Sequence, residues 1–290
     1  MKKTLRYKLT VSYFGKDFSG WQVQKNVLSV QQILEDKLSL LLKEKIKVTG
    51  AGRTDSQVHA LEQTAHFDSS KNIDANRIKF SLNGLLPPSV RILNIKETSP
   101  LFHARYSARG KTYRYLICNT EKYFPFLQDF CLLIRKKIDI KKLKQARACF
   151  LGTHNFLSFA NKSSVGCAKN KPTKTIYRLE IIKKDPFYII EITGDGFLYK
   201  MVRNIVGALI HVNEDKLSIS DLKTILSLKD RKTAPAPAPA KGLYLVKAHY
   251  LEEEVPKTKN EEYLLENRYC FENLFSHISK QAGQAYGKEP

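Results

Sequence analysis

The chain has 290 residues, 42% of them hydrophobic and 27% charged, as expected for a globular protein with a sizeable core. Its 49 lysines and arginines against 28 acids give a formal net charge of +21, which indicates a phosphate-rich partner unless the basic surface is merely solvated. The five cysteines include no CxxC pair, which argues against a disulfide framework and a zinc site and predicts a cytoplasmic protein. No apolar run approaches 18 residues, so no transmembrane helix is expected.

The first part of the chain follows the order β-α-β-β-α-β. Strands are predicted from apolar residues that alternate, and helices from apolar residues that recur every three or four positions. Ser29 and Asp74 are predicted to cap the two helices. The predicted elements are strand 5–13, helix 29–43, strands 46–50 and 62–68, helix 74–83 and strand 90–96.

The same order recurs in the second part, where Asp139 is predicted to cap the first helix. Residues 234–240, which read APAPAPA, predict a stiff connector that delivers the last strand. The predicted elements are strand 111–118, helix 139–150, strands 174–184 and 186–193, helices 198–212 and 220–228, and strand 243–250.

Each half therefore reads as a split β-α-β unit of the ferredoxin-like kind. The predicted fold is α/β (α+β), with two β-α-β-β-α-β domains, 1–104 and 105–250, and mainly antiparallel sheets. Residues 251–290 are predicted to be an acidic, partly helical extension with a net charge of −3, so residues 1–250 carry +24. The bases of that part fall into acid-poor clusters near 105–114, 162–178 and 135–147.

A glycine-hinged loop, 50–60, carries the strongest candidate for chemistry. Asp55 stands two residues from Arg53 in the sequence GAGRTDSQVHA. A turn residue is the alternative for Asp55, because aspartate is common in such loops. A dinucleotide fingerprint fails here, since its third glycine position is Asp55, and no Walker, HExxH or GxSxG pattern occurs. His59 alone is too little for a metal site.

The chain resembles the TruA family of tRNA pseudouridine synthases over about residues 5–250. The resemblance rests on short motifs that occur together in the family's order. They read YFG with FSGWQVQ (13–15, 18–24), GAGRTD with VHA (50–55, 58–60), NGLLP (83–87), FHAR (102–105), KTYRY (111–115), GTH (152–154), GFLYKMVR (196–203), and AP with GLYL (234–235, 242–245).

This resemblance implies two α/β domains whose sheets join around a central basic cleft. It implies isomerisation of uridine to pseudouridine at positions 38, 39 and 40 in the anticodon stem-loop of tRNA. It also implies a homodimer, no metal and no organic cofactor. Sequence does not decide which of the three positions or which tRNAs are modified, nor what residues 251–290 do.

The resemblance also implies roles for single residues. Asp55 matches the catalytic aspartate, which attacks the substrate covalently or deprotonates the sugar. Arg53 has the positive charge needed to favour an ionised Asp55 carboxylate. Arg203 matches an active-site position of the family and is expected to pair with Asp55; the alternative for Arg203 is a contact with an RNA phosphate. Tyr113 matches a substrate-contacting tyrosine and is expected to face the cleft, with Tyr115 on the packed side. Leu245 is expected to form an apolar wall below the base. Tyr113 and Leu245 are equally compatible with a place in the core.

Two residues depart from the family pattern. Gln57 stands where glycine is usual, so its backbone should either avoid positive φ or be strained. Asn155 replaces a usual aspartate.

A non-catalytic protein with two RNA-binding α/β domains is the main alternative to an enzyme, although the RNP1 signature is missing. A nucleotide-binding enzyme is a third, weaker interpretation.

Overall fold

The computed structural model describes residues 4–122, 124–161 and 171–251. The predicted extension, from residue 252 onward, lies outside the described residues. The strands are β1 (Leu5–Tyr13), β2 (Val48–Gly50), β3 (His59–Ser69), β4 (Val90–Thr98), β5 (Gly110–Asn119), β6 (Leu132–Ile134), β7 (Gly152–Asn155), β8 (Thr173–Lys184), β9 (Phe187–Gly194) and β10 (Leu243–His249). The helices are α1 (Val30–Leu42), α2 (Ala75–Leu85), α3 (Ile140–Ala146), α4 (Met201–Asn213) and α5 (Ile219–Leu228).

All ten described strands belong to one sheet. Its main path runs β4-β1-β3-β10-β5-β9-β8-β7, with β2 added beside β3 and β6 beside β5. The mixed α/β fold is thus confirmed, and the pairings are antiparallel except those of β10 with β3 and β5 with β6. Strand β10 joins the strands of the two sequence halves. The division into domains 1–104 and 105–250 stays a prediction.

The predicted helix caps are confirmed. Ser29 accepts a hydrogen bond from the backbone of Gln32, and Asp139 accepts one from Lys142. Asp74 accepts from the backbone N–H groups of the second and third residues of its helix. Each side chain satisfies an N–H group that would otherwise lack a partner in the first helical turn.

The main differences from the predictions concern two helices and two short strands. The helix predicted over 139–150 is α3 followed by a 3₁₀ turn, Arg147–Phe150. The helix predicted from 198 begins at Met201, because Lys200 adopts a left-handed conformation with φ of 59°. The short strands β6 and β7 were not predicted, since three or four residues hold too little alternation to be recognised.

Helix α4 is buried on most of its circumference and contributes many residues to the core. The predicted connector, 234–240, packs against it: a side chain at Gly207 would collide with the backbone of Ala236. The backbone N–H of Ala238 donates to the carbonyl of Arg203 at 2.9 Å. Among the described residues, no helix combines the length and the apolar character needed to cross a membrane.

Candidate active site

The loop that carries Asp55, residues 51–58, is held from two sides. Strand β3 supplies Gln63, whose Nε2 donates to the carbonyl of Gly52 at 2.8 Å. Strand β1 supplies Tyr13, whose hydroxyl is 2.8 Å from Oγ1 of Thr54. The backbone N–H of Trp21 donates to the carbonyl of Thr54 at 3.2 Å. The residue before Asp55 is therefore fixed through both its side chain and its backbone.

Glycines allow the segment after β1 to approach this loop closely. Gly20 has φ of +93°, and a Cβ there would lie 2.5 Å from the carbonyl oxygen of Thr54 and 3.0 Å from the carbonyl carbon of Asp55. A Cβ on Gly50 would lie 2.5 Å from the buried indole of Trp21. The FSGWQVQ motif thus forms the support of the GAGRTD loop.

Gln57 adopts φ of +66°, a left-handed conformation that strains a residue with a side chain. Of the two outcomes predicted for this position, the strained one is observed. The turn is closed by the N–H of Val58, which donates to the carbonyl of Asp55 at 3.2 Å.

Asp55 forms an ion pair with Arg203, from the third position of α4. Nη1 of Arg203 lies 2.8 Å from Oδ2 of Asp55, and the side chains are 12% and 17% exposed respectively. Nε of Arg203 also donates to the carbonyl of Ala238 at 2.8 Å, so the guanidinium is held by α4, by the 234–240 segment and by the carboxylate. The pairing predicted for Arg203 is observed.

Arg53 is not part of this pair. Its side chain is exposed, and its Nε donates to Oε1 of Gln22 at 3.1 Å. The guanidinium closest in sequence to the carboxylate therefore lies on the support segment at the surface, where it is accessible to a ligand.

Tyr113 lies on β5, close enough to Asp55 for the carboxylate's charge to act on its hydroxyl, and is not among the residues that line the cleft. Its ring meets the ring of Phe197 edge to face, with centroids 5.2 Å apart. Burial and the nearby charges of Tyr13 and Asp55 raise the pKa of Tyr113, which keeps its phenol neutral. In the β5–β10 register Tyr113 is opposite Leu245, so the two side chains share one side of the sheet; Leu245 is fully buried.

The expectation that Tyr115 faces the opposite side from Tyr113 is wrong. Residues two apart in a strand point to the same side. The hydroxyl of Tyr115 donates to the carbonyl of Pro239 at 2.8 Å, and burial raises its pKa while the charge of Arg203 opposes that rise. Tyr115 therefore supports the segment that holds Arg203.

The ion pair lines a cleft of about 460 Å³. Asp55 is the one acid among its lining residues in the described part of the chain. Tyr199 and Lys200 also line it but were not singled out in the sequence; their place between Phe197 and Arg203 in the GFLYKMVR motif was the available signal. The full lining set is Asp55, Ser56, Gln57, Tyr199, Lys200, Arg203, Pro239 and Ala240.

His59 has a structural role in the loop that follows Asp55. Its Nδ1 accepts a hydrogen bond from the backbone of Gly15 at 3.0 Å, and its Nε2 lies 3.0 Å from the carbonyls of Asp129 and Lys241. Burial lowers the pKa of His59, which favours the neutral ring. With both ring nitrogens engaged, this histidine ties β3 to three other segments and is a poor candidate for a catalytic base.

Comparison with known proteins gives a consistent result. A family model described as tRNA pseudouridine synthase matches residues 9–107 and 146–251. The chain is 44% identical to tRNA pseudouridine synthase A 1 of Protochlamydia amoebophila over 245 residues, covering 84% of this chain and 96% of that protein. It is 40% identical to tRNA pseudouridine synthase A of Ruminiclostridium cellulolyticum over 246 residues, covering 84% and 99%. A third relative, tRNA pseudouridine synthase A of a Thermoanaerobacter species, is 39% identical, with coverage of 83% and 98%.

Proposed function

Because the chain belongs to the tRNA pseudouridine synthase family, we propose that it acts on the anticodon stem-loop of tRNA, at positions 38, 39 and 40, with Asp55 as the catalytic carboxylate. The enzyme is an isomerase that converts uridine in tRNA to pseudouridine. The choice of the stem-loop rests on the sequence motifs that resemble the TruA family. The choice of Asp55 rests on its place as the one acid lining the described cleft.

The reaction breaks the C1′–N1 bond of uridine, turns the uracil and joins C1′ to C5. After the new C1′–C5 bond forms, C5 loses its proton and N1, released from C1′, carries a proton in the product, so the composition is unchanged. Asp55 either attacks the substrate covalently or removes a proton from the sugar, and both routes need an ionised carboxylate within reach of the ribose. The ion pair with Arg203 places a positive charge against that carboxylate at 2.8 Å and fixes one of its oxygens. In the proposed reaction, the other oxygen, Oδ1, is the one that reacts with the substrate.

The target uridine must leave its stack to reach the carboxylate. Tyr113 offers a neutral aromatic ring beside Asp55, and the buried Leu245 lies next to it on the same side of the sheet. In the proposed complex Tyr113 stacks on the extruded base, and Leu245 forms the wall beneath it. Arg53, an exposed residue of the Asp55 loop that donates to Gln22, contacts the RNA next to the vacated position.

We further propose that the enzyme acts as a homodimer in the cytoplasm, in keeping with the resemblance and with thiols that stay reduced. The described cysteines, Cys118, Cys131 and Cys149, are free. Sedimentation of the purified protein at several concentrations measures the oligomeric state, and a monomer throughout would contradict this part of the proposal.

Release of tritium from tRNA labelled at C5 of uridine tests the function. Asp55→Asn is expected to bind tRNA with affinity near that of the wild type and to lose turnover by several orders of magnitude, because no other acid lines the described cleft. Retention of more than about a tenth of the wild-type rate would remove Asp55 from its role. Single-uridine stem-loops, each labelled at position 38, 39 or 40, decide which sites are used. Release from none of them would refute the stem-loop assignment.

A further inference from the structure

A second group of cations lies beside the catalytic loop and is not used in the proposed chemistry. Lys111 is two residues before Tyr113 on β5, so both side chains point to the same side of the sheet. Its Nζ lies against Gly52 of the loop, only 3.1 Å from where a Cβ would stand. Gly52 therefore leaves room for the ammonium group next to the loop that carries Asp55.

The neighbours of Lys111 are also cations. Arg105 and Lys174 are close enough for their charges to act on it, and Nζ of Lys174 lies 4.0 Å from the Cβ position of Gly196, in the loop that leads to α4. None of the three side chains forms an ion pair with an acid in the described part of the chain. Burial, and then these two charges, lower the pKa of Lys111 to about 8.

An unpaired, half-buried cation among like charges costs stability in the free protein. A bound anion would offset that cost, since it brings an opposite charge to three donors that converge from β5, β8 and the segment before β5. A phosphate diester fits this arrangement better than a carboxylate of the protein, because no acid of the described residues reaches it.

We infer that Lys111, Arg105 and Lys174 bind a backbone phosphate of the RNA adjacent to the extruded uridine. This inference rests on the proposed function, in which the base stacks on Tyr113. The Cα atoms of Lys111 and Tyr113 are about 6.6 Å apart in a strand, so the phosphate next to the extruded nucleotide lies within reach of the lysine. The contact holds the nucleotide's backbone while its base is in the cleft.

Binding to full-length tRNA at stepped salt concentrations tests the inference, with Asp55→Asn as the common background to prevent turnover. Lys111→Gln is expected to weaken binding about tenfold and to reduce the slope of log K against log salt by about one unit. It is also expected to raise the melting temperature, because it removes a desolvated charge. Lys111→Arg should keep most of the affinity. The control is Lys223→Gln, on the exposed face of α5.

A tRNA with one neutral methylphosphonate linkage identifies the phosphate. At the contacted linkage, the neutral substitution should weaken tRNA binding about tenfold when Lys111 is present. It should leave the affinity of the Lys111→Gln variant unchanged. If Lys111→Gln fails to fold, Arg105→Gln takes its place. Arg105 is exposed, so this substitution should leave the fold intact and show the same loss of affinity.

The inference is overturned if Lys111→Gln binds tRNA as tightly as Lys223→Gln does. It is also overturned if no methylphosphonate linkage next to the target uridine removes the difference in affinity between the proteins with and without Lys111. A Lys111→Gln protein that is less stable yet binds normally when folded would also overturn it, since that is the behaviour of a purely structural lysine. Failure of the proposed function is seen separately, as absence of tritium release by the wild-type enzyme.

Discussion

Gly20 provides the most exacting test of how the loop that carries Asp55 is supported. Alanine at this position would place a Cβ 2.5 Å from the carbonyl oxygen of Thr54 and 3.0 Å from the carbonyl carbon of Asp55. Both contacts are with backbone atoms, so no side-chain rotation relieves them. The φ of +93° also lies outside the region that alanine prefers.

Two costs follow from this geometry. The backbone conformation costs about 1–2 kcal/mol for a residue with a Cβ. The collision adds about 1–3 kcal/mol, as overpacking does in a core, and moves the Asp55 loop by several tenths of an ångström or more. A total near 3 kcal/mol lowers the melting temperature by roughly 6–12 °C for a chain of this size. A displacement approaching 1 Å at the carboxylate lowers turnover on the order of a hundredfold.

Gly84 supplies the matched control. It lies in α2, is exposed, and has nothing within 4 Å of its Cβ position, so alanine there should stabilise the helix by about 0.5–1 kcal/mol. Thermal melting, tRNA binding and single-turnover tritium release are measured for both variants. If Gly20→Ala keeps the single-turnover rate of Gly84→Ala, the support of the loop by Gly20 is refuted.

Four further outcomes follow from the structure. Arg203→Gln should lower turnover about 10- to 100-fold while tRNA binding changes little, because the charge-assisted bond to Asp55 is worth about 1.5–3 kcal/mol. Gln57→Gly should raise the free energy of unfolding by up to about 1 kcal/mol with turnover unchanged, as it relieves left-handed strain. Tyr115→Phe should lower the melting temperature by about 2–4 °C through loss of its bond to Pro239. His66, whose pKa burial lowers to about 4, should make stability fall as the pH drops from about 6.5 toward 4, because the unfolded chain takes up the proton first.

Each of these has its own control. Arg203→Lys keeps the charge and should restore part of the rate. For Gln57→Gly, a lower melting temperature would mean that the side chain makes contacts outweighing the strain. Tyr113→Phe is the partner of Tyr115→Phe; its hydroxyl has no hydrogen bond among the described residues, so its melting temperature should not move. His66→Gln should flatten the acid limb of the stability curve, and an unchanged slope would assign that limb to other groups.

The regular elements were predictable because they carry strong local patterns. Alternating apolar residues identified β1 and β8, and Ser29 and Asp139 identified helix starts through their capping side chains. Strands of three or four residues, such as β6, depend on their neighbours for pairing and leave no such pattern. The late start of α4 depends on the conformation of Lys200, which propensity does not reveal.

The site was predictable only in part. Asp55 stood out by its loop, but its ion-pair partner is 148 residues away along the chain, at Arg203, and spacing carries no information about such a contact. Family resemblance indicated Arg203, whereas proximity in sequence favoured Arg53, which the fold directs to Gln22. Lys111, Arg105 and Lys174 were visible as members of two separate acid-poor stretches, but their proximity depends on the pairing of β5, β9 and β8.

The central place of β10 has a consequence for how the protein is made. On the ribosome, residues 5–119 emerge first, yet β3 and β5 cannot be joined until Leu243–His249 has left the exit tunnel and inserted between them. The segment that holds Arg203 and the buried Leu245 of β10 arrive in the same late step. Insertion of a strand between partners so distant in sequence is slow, because long loops must close before any pairing stabilises them. The nascent chain therefore contains the Asp55 segment for most of its synthesis, but the cleft around Asp55 gains its last parts only when β10 has been made.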